Sequence, residues 1–155
     1  MGAVRPARRR LAAVVNPHSG GGRHRRDVPL ILSALRGLGY DVEELETEAA
    51  GDASGLARGA VEAGFDVVAV LGGDGTVNEA VNGLAGSDVP LAIIPTGTVN
   101  VLAMELGIPL DPPDAVKLLG AAVEHVSWID LGRAGERYFG LMAGVGMDAA
   151  VVAAL

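Results

Sequence analysis

A glycine-rich segment between an apolar strand and a helix limits the folds open to this chain more than any other feature. Residues 65–71 form a short, almost continuous apolar run, as in a strand that is buried on both faces. Residues 77–85 carry alanine, valine and leucine at helical spacing, which predicts an amphipathic helix. The segment between them, residues 72–76, reads GGDGT. A tight glycine loop that opens onto a helix N-terminus offers free N–H groups to an anion, most often a phosphate.

Three side chains in and near this loop extend the prediction. Thr76 and Glu79 have the spacing of a capping box, which predicts that the helix starts at Thr76. Asp74 would repel a bound phosphate unless a cation lay between them, so polyphosphate here implies Mg²⁺ held partly through water. The alternative is a strand-to-helix turn in which Asp74 only accepts hydrogen bonds from backbone N–H groups. The segment matches neither the G-x-x-x-x-G-K-[ST] phosphate loop nor the G-x-G-x-x-G dinucleotide fingerprint.

Length and composition fit one compact domain with a sizeable core, since the 155 residues are 50% hydrophobic. The formal net charge of −7 argues against a general nucleic-acid-binding protein. The absence of cysteine excludes disulfides and thiolate metal sites. Lys117 is the only lysine, so any cationic side chain that contacts phosphate in the early loops must be an arginine.

The first ten residues form a basic tail. Its arginines precede an apolar stretch of residues 11–15, which is too short for a signal peptide or a membrane span. We therefore expect a cytoplasmic protein with a disordered tail. Weak attraction of the tail to anionic lipid, which would make the protein peripheral to a membrane, is the alternative.

Short apolar strands alternate with helical patterns over residues 11–122. Strands are predicted at 11–15, 40–45, 65–71 and 91–94, and a helix with an apolar face follows each of them. Gly39 is placed to end the first helix and Asp52 to cap the second. Asp111 and the prolines after it are placed to start the last helix. This alternation predicts an α/β fold, a three-layer parallel sheet with helices on both faces.

Glycine, serine and threonine follow three of these strands. The first loop reads NPHSG at residues 16–20, the central loop is the one described above, and the third reads PTGT at residues 95–98. Ligands bind at the carboxyl ends of the strands in such sheets, so we expect the three loops to converge on one phosphate site. His18 lies in the first loop, and its ring is expected either to contact a phosphate or to be solvated. The three histidines show no metal-ligand spacing.

After His125 the pattern changes to a hairpin. Residues 126–131 and 138–142 flank a loop of four to six residues within 132–137. A hairpin alone is only marginally stable, so we expect residues 126–155 to begin a truncated β-rich second domain after an α/β domain at 11–125. The uncovered hairpin should expose apolar surface, which would favour self-association, for example as a homodimer.

Five stretches together resemble the catalytic domain of the diacylglycerol kinase family, which includes bacterial lipid kinases and sphingosine kinases. These stretches are VVNPHSGGGR, GGDGTVNEAVNGL, IIPTGTVNVLAMELGIP, WIDLGR and YFGLMAGVGMDA, in the family's order and spacing. The resemblance covers nearly the whole chain, and GGDGTVNE is its most specific part. It implies a nucleotide-binding half similar to that of phosphofructokinases and NAD kinases.

The resemblance also implies a reaction, in which the γ-phosphate of ATP passes to a lipid hydroxyl at a membrane surface with the help of Mg²⁺. ATP phosphates are expected at residues 72–78, where Asp74 would organise the metal through water. The candidate nucleotide site then comprises Asn16, Pro17, His18, Ser19, Gly20, Arg23, Thr47, Gly72, Gly73, Asp74, Gly75, Thr76, Val77, Asn78 and Thr98.

The chain departs from many bacterial members at two positions. They have a lysine after the Ser-Gly of the first loop and an aspartate after the Asn of the G-T-x-N motif, where this chain has Gly21 and Val101. The joint loss suggests that the two charges form a pair in relatives, and Arg23 is expected to supply the missing positive charge. The family's D-G-E stretch, with the expected proton acceptor, is not in this chain. We therefore expect these residues to bind nucleotide without transferring phosphate.

Two other classes of function stay open. One is a kinase of a soluble metabolite that uses the same nucleotide-binding half, and the other is a nucleotide-binding or regulatory module without catalysis. Phosphorylation tests with lipid and soluble acceptors separate the two kinases. ATP binding without transfer to any acceptor favours the third class.

Overall fold

The computed structural model describes residues 9–121, 126–141 and 143. The strands in this part are β1 Arg10–Val15, β2 Asp41–Glu46, β3 Val67–Gly72, β4 Leu91–Pro95, β5 Gly132–Ala134 and β6 Arg137–Phe139. The helices are α1 Val28–Gly37, α2 Asp52–Glu62, α3 Asp74–Leu84, α4 Val101–Glu105 and α5 Pro112–Ala121. A short 3₁₀ segment covers Ser19–Gly22 in the first loop.

The first four strands form one parallel sheet in the order β2-β1-β3-β4. Their last residues lie at nearly the same level. Val15 is opposite both Glu46 and Leu71, and Gly72 is opposite Pro95. Because the strands run the same way and end together, the loops that follow them all start at one edge of the sheet.

Alternating side chains of each central strand enter two separate cores. In β1, Ala12 and Val14 pack with residues of α2 and α3, whereas Leu11, Ala13 and Val15 pack with residues of α1 and α5. All five of these strand side chains are buried. This explains the unbroken apolar runs in the sequence, since each face of the sheet needs its own apolar residues. The predicted three-layer α/β fold is confirmed.

Helices α2 and α3 pack closely at Gly83. A Cβ atom there would collide with the carbonyl oxygen of Ser54 and would lie 2.9 Å from the Cβ of Ala57. The buried side chains of α2 are the small residues Ala53, Ala57 and Ala60. The helices can therefore approach one another to backbone contact, and only glycine fits at position 83.

We predict that Gly83→Ala destabilises the fold. Alanine normally favours a helix over glycine, but here the added methyl must push α2 away, and overpacking of this kind costs about 1–3 kcal/mol. Urea unfolding followed by circular dichroism measures the free energy of unfolding. Gly59→Ala on α2 is the matched control, because a Cβ at Gly59 meets no atom within 4 Å. A stabilised Gly83→Ala variant would contradict this packing.

Two helix starts differ from the sequence prediction. Helix α3 begins at Asp74 rather than Thr76, with Gly73 as its N-cap and no side-chain capping bond. The capping box is therefore wrong, because the Thr76 hydroxyl accepts a hydrogen bond from Asn16 instead. Asp52 does not cap α2 but is its first residue, and its Oδ2 accepts the N–H groups of the preceding loop.

Several predicted apolar faces are rotated or shortened. The apolar spacing predicts Leu56, Ala60 and Val61 on the inner face of α2, but the buried side chains are Ala53, Ala57 and Ala60, and Leu56 and Val61 are only partly buried. The same spacing predicts Val99, Leu102, Ala103 and Leu106 on one face of the next helix, but α4 has five residues and buries only Leu102 and Ala103 of these, whereas Val99 and Leu106 are exposed. Leu38 of the first helix and Leu118 of α5 are also exposed.

The hairpin is present but shorter and tighter than predicted. Strands β5 and β6 pair antiparallel, and only Gly135 and Glu136 connect them. Gly135 has φ +60°, the geometry of two-residue turns with glycine at the first central position. Strand β5 and Arg137 of β6 therefore lie in what was expected to be the loop, whereas Tyr138 and Phe139 belong to the predicted second strand. The expected strand at 126–131 is not one, because these described residues form no ladder.

Apolar side chains before the hairpin are open to solvent. Trp128 is 82% exposed, and Val126 and Ile129 are also exposed. This agrees with the expectation of uncovered apolar surface, and self-association stays a prediction. Residues 1–8 of the predicted tail, the expected boundary at 125 and the segment 144–155 lie outside the described residues, whereas Arg10, which was assigned to the tail, begins β1.

Candidate active site

Three glycine-rich loops meet above the carboxyl ends of β1, β3 and β4, and the loop after β2 adds a fourth wall. Together they enclose a cavity of about 430 Å³, hereafter the first cavity. Nine of the residues proposed from the sequence line it, namely Asn16, His18, Ser19, Gly20, Thr47, Gly73, Gly75, Thr76 and Thr98. Five residues that the sequence analysis did not propose also line it, namely Glu48, Ala49, Ala50, Glu79 and Gly97.

Asn16 joins the first loop to the start of α3. Its Nδ2 donates to Oγ1 of Thr76 at 2.9 Å, and its Oδ1 accepts the N–H of His18 at 3.0 Å. The backbone N–H of Asn16 also donates to the carbonyl of Leu71, at 3.0 Å. Because the Thr76 oxygen is already an acceptor, its hydroxyl proton is left to donate to a ligand in the first cavity.

The N-terminus of α3 has unused hydrogen-bond donors. The first helical bond runs from the N–H of Val77 to the carbonyl of Gly73, at 3.0 Å. The N–H groups of Asp74, Gly75 and Thr76 precede it, so no carbonyl of the helix accepts them. Gly75 and Thr76 line the first cavity, and a Cβ at Gly75 would meet no atom within 4 Å. These donors and the helix dipole form a site for an anion.

The loops pack on one another through glycine. A Cβ at Gly20 would lie 2.6 Å from the carbonyl oxygen of Thr96, and Gly20 has φ +59°. A Cβ at Gly73 would lie 3.1 Å from the Cα of Gly97, and one at Gly97 would collide with Gly73. Contact between the loops therefore favours glycine at Gly20, Gly73 and Gly97, independently of any ligand.

Asn100, which the sequence analysis missed, and Asp52, which it expected only as a helix cap, order the outer loops. Asn100, with φ +60°, exchanges two hydrogen bonds of 3.0 Å with the backbone N–H and carbonyl of Gly97. Asp52 accepts the N–H groups of Glu48 and Ala49 at 2.9 and 2.7 Å. Asparagine tolerates the left-handed region better than most residues, and this tolerance was the available signal for Asn100.

Asp74 points to α4. Its Oδ1 accepts the N–H of Leu102 at 3.1 Å, and the carboxylate is absent from the described lining of the first cavity. The described residues contain no group of three or more histidine, aspartate or glutamate side chains that could hold a metal. Mg²⁺ is often held by one or two carboxylates and several waters. Asp74, whose Oδ2 accepts from no described residue, fits the role of such a single anchor.

The positive charge expected at the first cavity is not on its wall. The Nε of Arg23 donates to the carbonyl of Gly20 at 2.9 Å, and the side chain is outside the described lining. Lys117 donates to Asp114 at 2.7 Å on α5, and this hydrogen bond and charge raise the pKa of the lysine. The described lining holds two carboxylates, Glu48 and Glu79, and neither lysine nor arginine.

Four other proposed site residues support the loops without lining the first cavity. Gly72 ends β3, and a Cβ there would lie 2.7 Å from the Cβ of Thr76. Pro17 and Val77 are buried. The carbonyl of Asn78 accepts the Nδ2 of Asn82 at 2.8 Å.

Within the described helices, no segment combines the length and apolar character that crossing a membrane requires.

The fold and sequence match known lipid kinases. The family model of the diacylglycerol kinase catalytic domain matches residues 10–134. The diacylglycerol kinase of Mycobacterium tuberculosis (strain H37Rv) is 39% identical over 150 residues, which cover 92% of this chain and 47% of that protein. The diacylglycerol kinase of Staphylococcus saprophyticus is 36% identical over 134 residues, or 85% of this chain and 43% of that protein.

Solved structures agree with the sequence relatives. The crystal structure of a diacylglycerol kinase from Bacillus anthracis str. Sterne superposes with a TM-score of 0.76 at 34% identity. It matches 87% of this chain and 47% of that one. The chain thus spans less than half the length of the relatives it matches. Over the matched residues, this chain belongs to the diacylglycerol kinase catalytic domain family.

Proposed function

We propose that this chain is the nucleotide-binding half of an ATP-dependent lipid kinase, which transfers the γ-phosphate of ATP to a lipid hydroxyl. The observation that carries the proposal is the N-terminus of α3, where the N–H groups before Val77 are unused and Gly75 and Thr76 line the first cavity. A triphosphate is the ligand class that suits several donors at a helix N-terminus between glycine-rich loops.

The residues of this chain supply binding and orientation. The N–H groups of Gly75 and Thr76 donate to phosphate oxygens, and Asn16 fixes the Thr76 hydroxyl as a further donor. Asp74 would hold Mg²⁺ through water. The metal would neutralise phosphate charge when bound. Stable positioning and charge neutralisation are the main needs of phosphoryl transfer.

The acceptor side of the reaction needs other residues. A lipid hydroxyl must be positioned, and a group must take its proton. The carboxylates on the wall of the first cavity, Glu48 and Glu79, lie on the loop after β2 and on α3. No motif marks either of them as the proton acceptor. We propose that the proton acceptor lies outside residues 1–155.

Calorimetry with Mg²⁺-ATP, ADP and adenosine tests the nucleotide site in this chain. We expect saturable ATP binding that weakens strongly for adenosine, because adenosine lacks the phosphates. We also expect no transfer of phosphate to diacylglycerol or sphingosine by residues 1–155, assayed with radiolabelled ATP in mixed micelles. Equal affinity for ATP and adenosine would contradict the proposed phosphate site. Robust transfer would place the proton acceptor within these residues.

Phosphate-transfer assays of the full-length protein with lipid and soluble acceptors distinguish a lipid kinase from the other classes of function. Transfer to a lipid acceptor, and not to glycerol or soluble sugars, is the expected outcome. Transfer only to a soluble acceptor would make the protein a metabolite kinase. ATP binding without transfer to any acceptor would make it a regulatory module.

A further inference from the structure

A second cavity of about 650 Å³ adjoins the first and is not used by the proposed phosphate site. Ala50 and Glu79 line both cavities, so the two share part of their walls. Helix α2, helix α3 and the hairpin of β5 and β6 each contribute to its walls. The second cavity therefore exists only while the hairpin is docked on α3.

The wall of the second cavity includes two arginines, whereas the residues lining the first include neither arginine nor lysine. The two arginines are Arg58 of α2 and Arg137 of β6. Neither guanidinium forms an ion pair with a carboxylate of the described residues. Glu79 and Glu136 also line this cavity, so its formal charge is balanced while that of the first cavity is negative.

Asn82 holds the hairpin in place. Its Oδ1 accepts the N–H of Tyr138 at 2.8 Å, and its Nδ2 donates to the carbonyl of the same residue at 2.9 Å. The amide side chain thus makes the two backbone hydrogen bonds that a neighbouring strand would otherwise make with Tyr138. Arg137 directly precedes Tyr138 in β6, so these two hydrogen bonds also hold the backbone next to Arg137.

Gly83, the residue after Asn82, allows helix α2, which forms the other wall of the second cavity, to pack closely on α3. Its missing side chain lets the backbone of α2 approach, and a Cβ there would lie 3.1 Å from the backbone nitrogen of Arg58. Two consecutive residues of α3 therefore position both arginines, one through hydrogen bonds to Tyr138 and one through close packing.

We propose that Asn82 is a positioning residue, and that Arg58 and Arg137 form a phosphate-binding subsite in the second cavity. The inference rests on the proposed function, since it extends a triphosphate bound at the N-terminus of α3 into the adjoining cavity. Arginine suits this role because its planar donors match phosphate oxygens.

Nucleotide binding by single and double variants tests the subsite. Arg58→Gln and Arg137→Gln should each weaken ATP affinity about tenfold and leave adenosine affinity unchanged within about twofold. Inorganic triphosphate should show the same losses as ATP, because it shares only the phosphates. Arg36→Gln on α1 is the control and should change neither affinity.

A double-mutant cycle tests the positioning role of Asn82. Asn82→Asp keeps the acceptor for the Tyr138 N–H but sets a carboxylate oxygen against the Tyr138 carbonyl, so the hairpin should loosen. We expect this variant to weaken ATP binding about fivefold alone and less than about twofold in the Arg137→Gln background. Hydrogen exchange at the Tyr138 amide should become faster.

The outcomes are distinct. Wild-type protein that fails to bind ATP would overturn the proposed function and this inference with it. Wild-type binding that survives both arginine substitutions unchanged would overturn the subsite alone. Fully additive losses for Asn82→Asp and Arg137→Gln would show that Asn82 acts on stability rather than through Arg137, which would overturn its positioning role.

Discussion

Gly75→Val is expected to remove most ATP binding while leaving the chain folded. Gly75 is exposed in the first turn of α3, and a Cβ there meets no atom within 4 Å. A valine would stand over the unused N–H groups and keep phosphate oxygens away from them. Loss of two hydrogen bonds to a charged ligand, at about 1.5 kcal/mol each, predicts about a 100-fold weaker affinity. Calorimetry with Mg²⁺-ATP measures this loss.

Gly73 provides the contrast that makes this test specific. A side chain at Gly73 would press on Gly97, so Gly73→Val should lower both the free energy of unfolding and ATP affinity. Gly75→Val should change only the affinity, and its melting temperature should match that of the wild type. Gly75→Ala should be slightly more stable than the wild type, by about 0.5–1 kcal/mol. Unchanged ATP affinity in Gly75→Val would remove the N-terminus of α3 from the site.

Asp74→Asn is expected to weaken ATP binding only when Mg²⁺ is present. The asparagine oxygen can still accept the N–H of Leu102, but the charge that would hold the metal is gone. Loss of an indirect metal anchor predicts about 10- to 100-fold weaker binding of Mg²⁺-ATP. Without Mg²⁺ the variant should bind ATP at least as well as the wild type, because repulsion between carboxylate and phosphate is removed. Calorimetry with Mg²⁺ and with EDTA measures both affinities.

Comparison with Asp74→Ala distinguishes the role of Asp74 in metal binding from its role in the stability of the fold. It removes the acceptor of the Leu102 N–H, so the free energy of unfolding should fall by about 1–3 kcal/mol. Asp74→Asn should keep its stability. The same loss of ATP affinity with and without Mg²⁺ in Asp74→Asn would mean that Asp74 only shapes the loop.

Strands were predictable where burial is uniform. β1 and β3 lie inside the sheet, and the last three residues of the edge strand β4 are buried. Their sequences are therefore continuous apolar runs. β2 is an edge strand with four acidic residues among its six, and its register comes from pairing with β1. The hairpin was placed correctly and Tyr138 and Phe139 of β6 lie in the predicted second strand, but β5 lies in the predicted loop, because the pairing depends on the turn at Gly135.

Helix faces and helix starts were less predictable. The prediction for α2 placed Leu56, Ala60 and Val61 on the inner face, but Gly83 of α3 brings the two helices so close that the small residues Ala53, Ala57 and Ala60 are the ones buried. The capping box at Thr76 failed because Asn16, 60 residues away in sequence, uses the threonine hydroxyl. Such long-range partners leave no local pattern in a single sequence.

The sequence alone determined the fold class and the loops that form the candidate site. Buried parallel strands require long apolar runs, and tight turns at their ends require glycine. Both patterns involve residues that are adjacent in sequence, so they can be recognised without the tertiary structure. Tertiary structure decided which side chains reach the first cavity. It directs Asp74 to Leu102 and Arg23 to Gly20, and it brings in Glu48 and Glu79. The direction of each side chain depends on hydrogen-bond partners and packing surfaces from distant segments, which exist only after the sheet has formed.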